Sequence, residues 1–302
     1  AYDITPVRAT GSITGFETFS STSVTVTDPS HGADVGDFVT ISSTSGAVNG
    51  IPAATMDAEY QILTVPDANT YTITTATAAT STGTSSETAT ATYQISVGTA
   101  VSQYGYGWGT WQWGKEAWGT ARSTSNVTID GRNWSFDNFG EDLLATVNNG
   151  NTFRWETSVG TGTPAAVISN APTVSRFNLV SMPDRHVFLF GTETTIGNSN
   201  TQDDLFLRFA SQEDYNTWSP TATNTAGSFR VQDGSKIITA VRSRNAVLVW
   251  TDTSLNALQF VGAPFTFNLT QIGANCGAVS LHSAVDVNGT AFWMSQNSFY
   301  KF

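Results

Sequence analysis

The sequence is poor in cysteine, in lysine and in charge of either sign, and each shortage removes a class of protein. Cys276 is the sole cysteine among 302 residues, so no intramolecular disulfide can form and no multi-thiolate metal site can be built from this chain. The only lysines are Lys115, Lys236 and Lys301, and with ten arginines they face 24 acids, for a net charge of −11. Proteins that clamp nucleic acid do so by neutralising phosphates with Lys and Arg, so this composition argues against tight DNA binding. No run of about 18 apolar residues and no charged-then-apolar leader is present, which argues against a membrane span and a signal peptide. His31, His186 and His282 lie far apart, without the i, i+4 spacing of a zincin. Neither a Gly-x-Ser-x-Gly elbow nor a glycine-rich phosphate loop ahead of a helix occurs. From the residues themselves we expect no catalytic, cofactor-binding or metal-ligating set.

What the chain does have is threonine, 47 of them, more than all its charged residues together. β-Branched residues favour extended, pleated backbone. Apolar residues make up 39% and aromatics 12%, enough for a packed core. The composition therefore predicts an all-β protein, and the length suits two domains or one large β unit.

Charge divides the chain. Residues 1–103 hold nine acids against one base, Arg8, while the remainder is nearly neutral. Within the acidic third, Val24–Thr27, Phe38–Ile41, Tyr60–Leu63 and Tyr71–Thr74 are short alternating strands between Asp-Pro, Gly-Asp, Asn-Gly and Asp-Ala-Asn breaks. We read 1–17 as an N-terminal strand segment and 18–103 as a small β-barrel insert. The Thr/Ala/Ser tract from Ala76 to Thr92 has few large apolar groups and reads as a polar edge ribbon or a loop. Residues 104–125 form a Gly/Trp-rich strap in which Trp108, Trp111, Trp113 and Trp118 alternate with glycines. These indoles are candidate plugs at a domain joint or interface, or a sugar-stacking platform.

From 126 to 302 a pattern of strand, tight turn and aromatic-ended strand recurs. Its copies are Leu143–Val147 with Thr152–Thr157, Phe177–Val180 with Val187–Thr192, Ile237–Val241 with Val247–Asp252, and Ser283–Val287 with Ala291–Ser295. They start 34, 60 and 46 residues apart, around the 40 to 50 residues of a four-stranded propeller blade. Three copies continue into a further β run, at Leu205–Phe209, Leu255–Phe260 and Phe299–Phe302. A β-propeller, complete or partial, is the architecture this predicts; a sandwich would leave the aromatic repeat unexplained. The final run reaches Phe302 without a polar cap, which favours blades continuing beyond this chain over a strand that closes the ring.

Candidate chemistry is thin. The turn His31–Asp37 reads as a hairpin cap. Glu141-Asp142, Asp203-Asp204 and Glu213-Asp214 are adjacent acids, and adjacency in sequence does not set the separation that glycoside hydrolysis requires, so they read as turn acids. Ser211-Gln-Glu-Asp-Tyr-Asn-Thr-Trp218 partly resembles the Asp-box turn of sialidase-like propellers, with Glu213 and Tyr215 in place of the Asp and Gly. Cys276 reads as a small buried residue.

Taken in order, Tyr2–Pro6, His31-Gly with Gly36-Asp37, the strap from Tyr104 to Thr120, Trp134–Leu144, Arg154-Trp155, Ala171–Thr173, Phe209–Pro220, Trp250–Asp252 and Val261-Gly262 with Pro264-Phe265 resemble tail hub proteins of short-tailed bacteriophages, the nozzle or packaged-DNA stabilisation proteins. That resemblance implies a non-catalytic virion part. It implies a ring of copies, usually a hexamer, below the portal and its adaptor, around the channel through which DNA leaves. Assembly in the bacterial host cytoplasm, partnership with other tail proteins and the absence of any cofactor follow from it. An acidic wall suits such a conduit, since each Lys or Arg contact to phosphate would slow ejection. The alternatives left open are a carbohydrate-binding or carbohydrate-cleaving propeller and a generic adhesion scaffold.

Overall fold

The computed structural model describes residues 2–98, 131–182, 184–262 and 265–302. The strap, with Trp108, Trp111, Trp113 and Trp118, lies outside the described residues. The chain divides into two compact units, 1–102 with 162–165 and 103–161 with 166–302.

The first unit is built on nine short strands: β1 (Val7–Ile13), β2 (Gly15–Phe19), β3 (Ser23–Thr27), β4 (Phe38–Ser42), β5 (Glu59–Gln61), β6 (Thr64–Asp67), β7 (Thr70–Thr74), β8 (Thr82–Ser85) and β9 (Ala89–Gln94). Its two sheets run in the orders β1-β9-β4-β5 and β6-β7-β3-β2-β8, and β1 passes into β2 across Thr14. Alternation does the folding. Val24 and Val26, Val39 and Ile41, and Tyr71 and Ile73 point into one core while the intervening threonines and serines face outward. The small barrel thus includes β1 and β2 from the stretch read as a separate segment 1–17. The Thr/Ala/Ser tract also departs from its expected role. β8 is an edge strand, as a polar ribbon would be, but β9 lies between β1 and β4 and buries Ala89, Ala91 and Tyr93. Small alternate side chains suffice there because Tyr93 supplies the bulk.

The second unit is a β-propeller stack of antiparallel sheets. Blade one comprises β10 (Trp134–Phe139), β11 (Asp142–Val147), β12 (Thr152–Trp155) and β13 (Ala166–Val167). Blade two comprises β14 (Phe177–Val180), β15 (Val187–Phe190), β16 (Phe206–Phe209) and β17 (Gly227–Arg230). Blade three comprises β18 (Ile237–Arg242), β19 (Val247–Thr251), β20 (Ser254–Gly262) and β21 (Thr266–Ala274), and blade four β22 (Ala284–Val287), β23 (Thr290–Met294) and β24 (Phe299–Lys301). Strands in each blade follow sequence order, so every connection is a hairpin.

The core of this unit is shared out between blades. Val187 and Leu189 face blade one in a cluster with Phe139 and Leu144, whereas Phe188 and Phe190 face blade three in a cluster with Val247 and Val249. Leu248 and Trp250 then meet Ala291 and Trp293 of blade four. Two features of the repeat differ from the sequence reading. The pair aligned from Leu143 is β11 with β12, one strand later in its blade than the pairs aligned from Phe177, Ile237 and Ser283, because β10 precedes it. Trp293 is not the counterpart of Trp250: it points backward and meets that indole at 5.4 Å.

Candidate functional site at the inner strands and open faces

The first strands of blades one and two, β10 and β14, lie against each other, as do those of blades three and four, β18 and β22, which marks them as the inner edge, or axis, of the stack. Their polar alternants join across blades. The hydroxyl of Ser135 donates to the carbonyl of Asn178 at 3.2 Å, and Thr239 Oγ1 donates to the carbonyl of Leu281 at 2.6 Å. Asp137 accepts from the Val180 amide at 2.7 Å. Arg242 Nη1 reaches both Asp137 oxygens, at 3.1 and 3.0 Å, and donates to the Val180 carbonyl at 2.9 Å. One arginine on blade three thereby neutralises the acid of blade one at a strand end of blade two. This group was invisible in the sequence, where its members are 105 residues apart; only the register of three blades brings them together.

A second polar cluster surrounds His186, which is fully buried. Its Nδ1 is 2.8 Å from Asp184 Oδ2 and its Nε2 3.1 Å from Thr225 Oγ1. Ser181 Oγ donates to the same carboxylate oxygen at 2.5 Å and accepts the His186 amide at 3.0 Å. Thr225 Oγ1 also accepts the Gln212 amide at 2.7 Å. The order acid, imidazole, hydroxyl is that of a nucleophile relay, yet the ring is walled by Phe209 and Phe267 and the hydroxyl already serves a backbone donor. The arrangement ties the β14–β15 turn to the turn after β16. Burial by itself would raise the Asp184 carboxyl; the hydrogen bonds from His186 and Ser181 outweigh it and hold the group below the ordinary aspartate range.

The Asp-box-like turn works with a different acid from the one expected. Asp214, not Glu213, accepts from the Asn216 amide at 2.8 Å and the Thr217 hydroxyl at 2.6 Å. Trp218 Nε1 donates to the Tyr215 carbonyl at 2.7 Å, and its buried indole joins the cluster between blades one and two. Glu213 is exposed, 3.9 Å from Arg185. The other paired acids diverge toward separate cations: Asp203 to Arg230 at 2.6 Å, Asp204 to Arg176 at 2.7 Å and Asp142 to Arg154 at 2.9 Å.

In the first unit Tyr93 donates to Asp28 Oδ2 at 2.6 Å, and His31 packs edge-on against Tyr71 at 5.1 Å. His31 Nδ1 accepts the Ala33 amide at 3.0 Å, so the ring does cap the turn it begins. Burial pushes both tyrosine hydroxyls far up. Cys276 is buried in the cluster between blades three and four, where desolvation raises its thiol. Among the described residues, no three His, Cys, Asp or Glu side chains converge as a metal site would require, and no helix is long and apolar enough to cross a membrane.

Apolar surface gathers at the ends of the stack. On blade four, Val285, Val287, Phe292, Met294 and Phe299 are exposed; on blade one, Phe136 and Val167 are. A third exposed group sits at the end of the long β20–β21 hairpin, where Phe260, Val261 and Phe265 project.

No model of a protein family matches the chain, and no curated protein matches it. Among solved structures it is similar to a phage phi92 endosialidase, with 13% identity and a TM-score of 0.32, over 96% of this chain and 46% of that one. The chain thus spans less than half the length of that protein.

Proposed function

We propose that the protein is a structural component of a short-tailed phage virion, a tail hub or nozzle subunit that surrounds the DNA exit channel below the portal and its adaptor. It assembles with copies of itself in the host cytoplasm, retains the packaged genome, lets it pass, and needs no cofactor. The observation that carries this reading is the exposed apolar tip of the β20–β21 hairpin, formed by Phe260, Val261 and Phe265, because a surface of that kind is stable when another protein covers it. The order of sequence features supports the same conclusion. So does the axis, where Arg242 is held by Asp137 and is not offered to phosphate.

Cryo-electron microscopy of the virion tests the proposal: antibody-labelled or sequence-fitted density for this chain belongs in a ring beneath the capsid vertex. Finding the chain absent from purified virions would overturn it. Duplex DNA should bind more weakly than micromolar at physiological salt, and tighter binding in a filter or anisotropy assay would contradict an acidic channel wall that lets DNA pass.

A further inference from the structure

The outer strand of blade three differs from every other described edge of the chain. β20 and β21 have nine residues each, and β19 pairs with β20 only from Leu255 to Leu258, so beyond Leu258 the hairpin runs on as two strands alone. β21 ends the sheet order β18-β19-β20-β21, with no strand on its far side. Among the described residues, no hydrogen bond from outside β20 reaches the main chain between Asn268 and Gln271. Such an edge presents a row of N–H and C=O groups ready to pair with a further strand, and sheets usually blunt it with charge, proline or brevity. The rest of this chain does so. Away from the axis, β1 carries Arg8, β5 Glu59, β6 Pro66 and Asp67, β17 Arg230 and β24 Lys301, while β8 has four residues and β13 two. β21 holds neither charge nor proline, and no Asp, Glu, Lys or Arg occurs between Asp252 and Asp286.

The edge is also held in shape. Phe267 is buried and Leu269 packs against the same cluster, so the strand is anchored on one face while Asn268, Thr270 and Gln271 stay exposed. An extra residue, Ile272, interrupts the register with β20 and leaves five regular residues, Phe267 to Gln271, as a template. That is an ordinary strand length. Blades stack face to face, so a neighbouring blade covers the face of a sheet and leaves its outer edge free.

We infer that β21 is a strand-addition site, where an extended, uncharged segment of another tail protein pairs as a fifth strand of blade three. Main-chain hydrogen bonds supply the attraction, and alternate side chains of the incoming segment set the specificity. Charge defines the occupant: an acidic segment is repelled by a chain of net charge −11, and a basic one finds no acid to pair with in β21. A second copy does not fit. Its one described edge of matching length and neutrality is its own β21, which would pair about a two-fold axis, whereas neighbours in a ring all face the same way round. The inference rests on the tail reading above and extends it from the hairpin tip to the strand behind it.

Hydrogen exchange read by mass spectrometry, on the purified chain and on intact virions, tests it without any variant. In the purified chain the outward amides between Asn268 and Gln271 should exchange freely, and in the virion they should slow by about 100-fold or more. Asn268→Lys and Thr270→Lys then place charge on the edge without touching its buried face. Each should match wild type in circular dichroism yet enter virions about tenfold less. Ala222→Lys, exposed in the connection between β16 and β17, adds the same charge elsewhere and should enter as wild type does. Virions that contain the chain with those amides still exchanging freely, or that take up both edge variants normally, would overturn the inference and leave the tail reading standing. Virions without the chain would overturn both. Outward amides already protected in the purified chain, or a dimer that both edge variants abolish, would assign the edge to this chain itself and overturn the inference too.

Discussion

The two units solve the same problem, how to bury a β-sheet's apolar face, in opposite ways. In the first, two sheets of four and five strands cover each other around one cluster, and most residues facing out are threonine, serine and acids, with Phe19, Val35 and Leu63 exposed among them. In the second, each sheet has two apolar faces and the core is a series of interfaces, one between every pair of blades. A closed pair of sheets ends by covering itself. A stack carries apolar faces out to its outermost described sheets, where Phe136 and Phe299 are exposed among the described residues. The difference teaches how each core distributes its stability: over one cluster shared by two sheets in the first unit, and over successive sheet-to-sheet interfaces in the second.

Substitutions inside each kind of core should sharpen that contrast. Every tryptophan of the chain lies at or beyond residue 108, so indole fluorescence reports the second unit alone. The largest effect is expected at Trp250, buried completely between blades three and four, where truncation to Ala removes a large side chain that no neighbour can replace. A loss of about 3–5 kcal/mol follows, read as a lower urea midpoint of the fluorescence transition. An unchanged midpoint would mean that the interfaces between blades do not carry the stability of the stack. In the first unit the comparable test is Gly11→Ala. A Cβ there would stand 2.0 Å from Asp28 Oδ2, which accepts the Tyr93 hydroxyl. Displacing that buried carboxylate should cost about 1–3 kcal/mol. It should be read by near-ultraviolet tyrosine dichroism, with the indole transition unmoved.

Strand content, the small barrel core and the period of the blades were legible in sequence because alternation of Val, Ile and Phe with Thr and Ser is a local signal. Val24, Ile41 and Phe190 sit where their pattern puts them. Which face a residue takes is not local, since a slip of one position exchanges the two faces of a strand. That is why Trp293 could be aligned with Trp250 in sequence and yet look the other way. The first repeat was offset by a strand for a similar reason: Trp134–Phe139 carries Asp137 and Asn138, and its pairing with β11 shows only in register. Asp214 rather than Glu213 anchors the tryptophan turn because Glu213 takes a left-handed φ of 56° that turns its side chain away. The candidate site was the least legible part, as the Asp137–Val180–Arg242 group has no spacing that a reader could search for.

Acid should weaken the stack through carboxylates that its turns hold ionised. Asp184 and Asp252 both lie below the ordinary aspartate range: burial opposes ionisation at each, and hydrogen bonds outweigh it, from His186 and Ser181 at the first and from Ser235 at the second. A depressed folded value means that the stabilisation is complete above the unfolded value of about 4 and is lost as pH falls through the folded one. The indole midpoint should therefore fall below about pH 4. Asp184→Asn should lower stability at neutral pH and flatten the acid limb, and a variant whose limb matches wild type would show that another group causes it.

The smallest effect should come from the axis. Arg242 is partly exposed and its pair with Asp137 is only half shielded, so Arg242→Ala should cost about 0.5–1 kcal/mol, less at high salt. Its value as a test lies in what else it frees. Without the guanidinium, Asp137 still accepts the Val180 amide, so blades one and two stay joined while the tie to blade three is cut. Asp137→Ala should cost more, as it strands the Val180 amide, while Arg242 keeps its bond to the Val180 carbonyl. If the two variants destabilise equally, the arginine alone joins the blades. If Arg242→Ala costs as much as Trp250→Ala, the stack is held at its axis and not across its faces, and the comparison between a self-covered barrel and an open stack of apolar interfaces would have to be redrawn.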